Sequence, residues 1–350
     1  MTEPTEVLVE HTSEDRPLVT SRPPRSRPPA PSLLHRLGLE RFALIGVWIV
    51  LIAGFGVLRP NTFLTSGNFQ TILGSQAVQA VVALALLLPL MTGDFDLSVA
   101  STASLSAMTL TVLNVNHHWS IVPSILAALV VGLVVGLVNG VLTALVGLDS
   151  FIITLAVGTL LTGIVSWISG DLTLSGVDQS LVNAMIVDRL FGIPAEFFYG
   201  VAVCVILWYL FEFTPLGRRL LYVGRNREVA RLSGIHVSRL RLGAFVGSGF
   251  ISAGAGVMYA GTLAGANPSS GGSLLLPAFA AVYLGATCIS PGRFNPWGTL
   301  IAVYFLVTGI TGLQLLGAQS YVQDLFSGSA LIVAVTISFV VRRRSGKVRA

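Results

Sequence analysis

The sequence predicts an all-α, polytopic membrane protein of about ten transmembrane helices, with both termini on the cytoplasmic side. Three observations carry this. Hydrophobic residues make up 53% of the 350 and charged residues 11%, against roughly 25% charged in soluble domains. Long apolar runs recur, each near the ~20 residues that cross a bilayer core. The basic residues then segregate to one side of the topology those runs define. A large soluble core would show shorter runs broken by polar faces.

Residues 1–41 read as a disordered cytoplasmic tail. Arg22-Pro23-Pro24-Arg25-Ser26-Arg27-Pro28-Pro29 can neither build a core nor hold a helix, and no signal-peptide-like apolar stretch lies among them. Residues 42–341 form the transmembrane domain. Spans fall near 42–58, 70–91, 97–114, 121–146, 150–169, 197–213, 242–264, 273–290, 297–317 and 322–341, and 342–350 is a basic cytoplasmic tail. The second and third spans are separated only by Gly93-Asp94-Phe95-Asp96. With the N-terminus inside, just two of the 21 basic residues, Arg59 and Arg189, fall in outer connections. Removing one span would scramble this segregation, so the span count and the charge rule check each other.

Small residues mark close packing. Gly132, Gly136 and Gly140 stripe the fourth span, and Ser248, Ser252, Gly256 and Ala260 the seventh, both at four-residue spacing. Cys204 and Cys288 lie inside apolar runs and read as small buried hydrophobes. His117-His118, in an outer connection without other ligand-type residues, is a poor metal site. No phosphate loop, nucleophile elbow or zinc spacing occurs, which argues against an enzyme. Nothing calls for a cofactor, a metal or a nucleic acid.

Polar residues within the spans are the candidates for a translocation path. Asp94, Phe95 and Asp96 lie between two apolar spans, and Ser98 opens the third. A carboxylate at that depth faces a cavity or a partner. Alternatively Asp96 caps the third span, or the pair forms a solvated cytoplasmic turn. As the capping candidate, Asp96 is expected to matter more than Asp94. Gln76 and Gln79 share a face of the second span, and Asn139 lies in the fourth. All three suit either a polyhydroxylated solute or a tie between helices.

The long connection between spans six and seven is the most informative polar segment. Pro215 and Gly217 end the sixth span. Arg225, Asn226, Glu228, Val229, Arg231 and Leu232 then suit a short amphipathic helix stopped by Gly234, with a Glu228–Arg231 pair and a Val229/Leu232 apolar face. Such a helix fits a cleft on a partner. The competing reading is a basic loop on anionic headgroups.

These residues also carry a resemblance. Gly217-Arg218-Arg219-Leu220, Gly224-Arg225-Asn226-Arg227-Glu228 and Ala230-Arg231-Leu232-Ser233-Gly234-Ile235 resemble the coupling segment of sugar-class bacterial ABC importer permeases, the ribose, xylose and arabinose type. Gly93 to Ser98 is similar to that family's Gly-x-x-Asp-Leu-Ser motif. Ser150-Phe151-Ile152-Ile153-Thr154-Leu155 with Gly158-Thr159-Leu160, Trp297-Gly298-Thr299-Leu300, and Gly312-Leu313-Gln314-Leu315-Leu316-Gly317 match further family patterns. The departures are Asp149 where the family has Pro, Ala286 and Pro291 among paired glycines, and Ala100 where Gly is common.

The resemblance implies a multi-pass bacterial plasma-membrane protein. It implies a second permease copy as a homodimer, a cytosolic ABC ATPase that docks at 225–234, and an extracytoplasmic binding protein that delivers a monosaccharide or polyol. Two rivals stand beside it. One is the same architecture for a nucleoside, branched-chain amino acid or signalling furanone; the other is a proton-coupled secondary transporter using Asp94 and Asp96.

Overall fold

The computed structural model describes residues 42–347, with side chains through residue 336. The tail over 1–41 and residues 348–350 lie outside the described residues. In chain order the helices are α1 (Ala43–Leu58), α2 (Pro60–Phe63), α3 (Ser66–Ser75), α4 (Ala77–Met91), α5 (Val99–Thr111), α6 (Ile121–Gly140), α7 (Ser150–Ser169), α8 (Gln179–Val182), α9 (Ala195–Phe213), α10 (Pro215–Arg225), α11 (Arg227–Leu232), α12 (Val237–Thr262), α13 (Ser270–Gly285), α14 (Pro296–Leu315) and α15 (Tyr321–Lys347). Two short antiparallel pairings occur among the described residues: the distant Leu174–Ser175 and Gly265–Ala266, and the hairpin of Arg189–Leu190 with Ile193–Pro194.

Every expected span coincides with helix. Among the described residues, six helical stretches are long and apolar enough to cross a bilayer: Ser66–Met91, Ile121–Leu145, Ser150–Ser169, Ala195–Phe213, Val237–Thr262 and Pro296–Leu315. Ala43–Leu58, Ser270–Gly285 and Tyr321–Thr336 are shorter apolar helices. Three details differ from the expectation. The second span is two helices, broken at Gln76. The third has only 13 α-helical residues before a π-turn over Val112–Asn116. The last helix runs through the arginines at 342–344 to Lys347, so the expected tail begins as helix.

The centre of the bundle is α4, whose fifteen residues are all buried. That follows from a sequence apolar on every side, which has no face to give to solvent. Its neighbours include α9, α12, α13 and α14. By contrast α7 buries one stripe, Ser150, Thr154, Gly158, Leu161, Val165 and Ser169, and exposes most of the rest. Asp149, where the family has Pro, caps it: its Oδ1 accepts from the Ile152 N–H at 3.1 Å. Cys204 and Cys288 are buried and free.

The two small-residue stripes do not meet each other. The α6 glycines pack on a different face of α12: a Cβ at Gly132 would overlap Gly249 and Ala253, and one at Gly136 would overlap Phe245 and Val246. The serine-bearing stripe of α12 faces α5 instead. A Cβ at Gly256 would strike the Ala103 carbonyl, and Ser106 Oγ donates to the Ala253 carbonyl at 2.9 Å. So α12 is sandwiched, small on two faces, which lets both neighbours approach to backbone contact. Gly249→Val is therefore expected to be severe. The colliding atoms are backbone, so overpacking should meet or exceed the usual ~1–3 kcal/mol. Membrane abundance and thermal stability in detergent measure it, and Gly243→Val, at a glycine with open space around it, is the mild control.

Candidate functional site

Asp94 and Asp96 sit on the turn between α4 and α5, and both are 1% exposed. The turn starts at Gly93, whose φ of +77° is a left-handed conformation that favours glycine. Gly224 of α10 packs against it so closely that a Cβ there would overlap the Met91 carbonyl. Ser150 and Thr154, one turn apart on α7, accept from the turn's Phe95 and Leu97 N–H groups at 3.1 and 3.0 Å. The serine and threonine of the 150–155 pattern thus satisfy backbone donors that would otherwise be buried without partners.

Asp94 is gripped by two guanidiniums. Arg241 of α12 donates from Nε to Oδ2 and from Nη2 to Oδ1, each at 2.7 Å. Arg227, the first residue of α11, donates from Nη2 to Oδ1 at 2.8 Å. The same Nη2 reaches the Gly93 and Thr92 carbonyls at 3.2 and 3.3 Å, and Thr92 Oγ1 donates to Oδ2 at 3.0 Å. A bidentate guanidinium on a buried carboxylate is the strong form of ion pair. The solvated-turn reading is thereby corrected: Asp94 is buried because cations from the 214–241 connection reach it.

Asp96 heads a second network. Its Oδ1 accepts from the Ser98 N–H and hydroxyl at 3.1 and 2.7 Å, and its Oδ2 from Ser248 Oγ of α12 at 2.9 Å. Asn139 Nδ2 of α6 donates to Ser98 Oγ at 2.7 Å. Asp96 is therefore not the N-cap of α5, which is Ser98. It stands two residues upstream and ties the helix start to α12, while Asn139 adds α6. Phe95 leans edge-on against Phe151 of α7, ring centroids 6.2 Å apart, on the open side of that helix.

The segment 225–234 forms a helix as expected, with bounds Arg227–Leu232. Asn226 caps it, its Oδ1 accepting from the Glu228 and Val229 N–H groups at 2.9 and 3.1 Å. Gly234 ends it at a φ of +79°. Ala230 is buried with Val223 and Val237. Val229 and Leu232 are 54% and 88% exposed, so the apolar face is presented rather than packed. Arg225 ends the preceding helix, α10.

Two expectations need correction. No ion pair joins Glu228 to Arg231 among the described residues; an exposed pair at that spacing gains only ~0.2–0.5 kcal/mol, too little to fix two long side chains. And Pro215 does more than end the sixth span. Behind the Thr214 cap, whose Oγ1 accepts from the Gly217 N–H at 3.2 Å, it opens the amphipathic α10.

Gln76 and Gln79 stand apart from all of this. They line a cavity of about 70 Å³ at the opposite end of α4, together with Gln323 and Ser327 of α15. The length of α4 puts ~22 Å between the two groups at 1.5 Å per residue. The seven path candidates therefore form two places, not one. Sequence reasoning missed Arg227 and Arg241 as partners of Asp94, read Ser248 only as a packing residue, and missed Gln323 and Ser327 altogether. The available signal was the carboxylates themselves, since a buried one needs a cation, as at Asp94, or several hydrogen-bond donors, as at Asp96.

The sequence family described as branched-chain amino acid transport system / permease component matches residues 68–335. The chain belongs to this family of permease components. It is similar to the ribose import permease of Bacillus subtilis (strain 168), 34% identical over 294 residues that cover 84% of this chain and 90% of the relative. The ribose import permease of Escherichia coli (strain K12) is 32% identical, covering 85% and 93%. The L-arabinose transport system permease of the same organism is 30% identical, covering 85% and 89%. No solved structure matches the chain. The matched region takes in both ends of α4, the α11 helix and most of the permease's transmembrane region.

Proposed function

We propose that this chain is the pore-forming subunit of an ATP-driven importer for a monosaccharide or polyol. A cytosolic ABC ATPase docks on α11, an extracytoplasmic binding protein delivers the solute, and a second copy of the permease completes the pore. The observation that carries the reading is the Arg227–Asp94 contact. It joins a short cytosolic helix with an exposed apolar face directly to the turn between two central helices. Motion of α11 imposed from outside would reach α4, α5 and α12 through this partly buried contact and the Arg241–Asp94 pair beside it. The sugar class is supported by the ribose and arabinose permeases to which the chain is similar.

The proton-coupled rival, which uses Asp94 and Asp96, is weakened at Asp94. Both Asp94 oxygens already accept from Arg227, Arg241 and Thr92, which is the geometry of a structural pin. The test is uptake of labelled D-ribose, D-allose and L-arabinose by vesicles holding this chain alone or with its ATPase and binding protein. The importer reading expects uptake only from the complete set, fuelled by ATP and insensitive to an uncoupler. Uptake by the chain alone, collapsed by an uncoupler, would transfer the case to the rival.

The same reading puts both termini and α11 on the cytoplasmic side. Single cysteines at His117 and Arg189 are then expected to react with an impermeant thiol reagent from outside the cell only. Reaction only from the cytoplasmic side would overturn the orientation.

A further inference from the structure

At the end of α4 remote from the aspartates, the helix break at Gln76 adjoins the cavity of about 70 Å³ between α4, α13, α14 and α15. Its polar lining is Gln76, Gln79, Gln323 and Ser327; its apolar lining includes Leu306 and Ile310. Ser327 is 4% exposed, yet its hydroxyl has no hydrogen-bond partner. Most buried hydroxyls find partners, and this one lines a polar cavity where a partner can sit. Gln79 is 8% exposed and is held in place by donation from Nε2 to the Leu274 carbonyl at 3.0 Å.

The chemistry of the lining selects a ligand class. Each glutamine amide offers two donors and an acceptor, and serine offers one donor and two lone pairs, the complement of adjacent hydroxyl groups. No charged side chain lines the cavity, which removes any ionic ligand from consideration. Aliphatic Leu306 and Ile310 suit the C–H face of a carbohydrate. The volume admits a few waters or part of a solute, not a whole monosaccharide.

We propose that Gln76, Gln79, Gln323 and Ser327 form a subsite for adjacent hydroxyls of a neutral polyhydroxylated solute, at the outer end of the translocation path. The assignment to the outer end rests on the importer reading above. The hydroxyl chemistry rests on the cavity alone. It gives the last helix a part in solute contact that no sequence motif marked.

The test uses the complete transporter in vesicles with Ser327→Cys, since the native cysteines are buried. An impermeant methanethiosulfonate reagent is applied to the outer face, with or without saturating D-ribose, D-allose or L-arabinose. Reaction that is slowed severalfold by at least one sugar, and not by equimolar glycine, is the expected result. No reaction, or reaction that none of the three sugars slows, overturns the subsite. Gln323→Cys, at an exposed residue, repeats the readout should Ser327→Cys fail to assemble. Wild-type uptake measured in parallel separates the two claims: uptake without protection rejects the subsite and keeps the importer, whereas protection without uptake keeps the subsite and rejects the importer.

Discussion

Asp94→Ala is expected to cut coupled uptake more than any other single change around this turn, leaving a small but measurable rate. Removing the carboxylate leaves Arg241, whose side chain is 11% exposed, as an uncompensated buried cation beside Arg227, which is 41% exposed. Removing one partner of a buried pair typically costs ~3–5 kcal/mol. The more exposed Arg227 contributes less of that, because solvent screens it. The expected order of loss is Asp94→Ala, then Arg241→Ala, then Arg227→Ala, read as uptake at matched membrane abundance with ATPase activity measured alongside. The sequence alone placed Asp96→Ala above Asp94→Ala. The geometry reverses this, because the groups around Asp96 are neutral hydroxyls and N–H donors that its loss leaves uncharged. Wild-type uptake in Asp94→Ala would remove the pin from the mechanism.

Leu232→Asp is expected to release the ATPase or to leave its hydrolysis unlinked to uptake. Leu232 is 88% exposed on the unpacked face of α11, so the change should cost the isolated permease little. In a desolvated contact with a partner, however, an unpaired charge is heavily penalised. Arg239→Gln removes a charge from the same connection, outside α11, and should be nearly silent. A loop held by headgroups would respond the other way, losing about 1 kcal/mol per basic residue removed. Pull-down of the ATPase with each variant at equal expression distinguishes them. Normal retention with Leu232→Asp, together with loss in Arg239→Gln, would end the docking assignment.

Much of the fold was legible in the sequence because bilayer crossing imposes long apolar runs, and those runs fixed all ten helical segments. The break at Gln76 was overlooked, although Gly74-Ser75 immediately before it is a known site of helix kinks. The helix α10 was not legible, because Thr214 and Pro215 end one helix and start the next in the same two residues. The site was half legible. Asp94 and Asp96 stood out as carboxylates between spans, and Asn226 and Gly234 marked both ends of α11. What joins them, Arg227 and Arg241 reaching Asp94 across more than 130 residues of chain, is a tertiary fact. In the sequence these arginines were two among many in a basic connection. Ser248 was likewise read only as a small residue on a packing stripe, because a hydroxyl that packs and one that hydrogen-bonds look the same in one dimension.

The central claim is that α11 acts on the pore turn through the Arg227–Asp94 contact, and a double-mutant cycle tests it most directly. Uptake per ATP hydrolysed is measured in the reconstituted transporter for Asp94→Ala, Arg227→Ala and the double variant. If the contact transmits motion, the double variant should be no worse than Asp94→Ala, giving a coupling energy within the ~0.5–3 kcal/mol found for residues in direct contact. Losses that simply add, with no coupling between the two positions, would contradict the account.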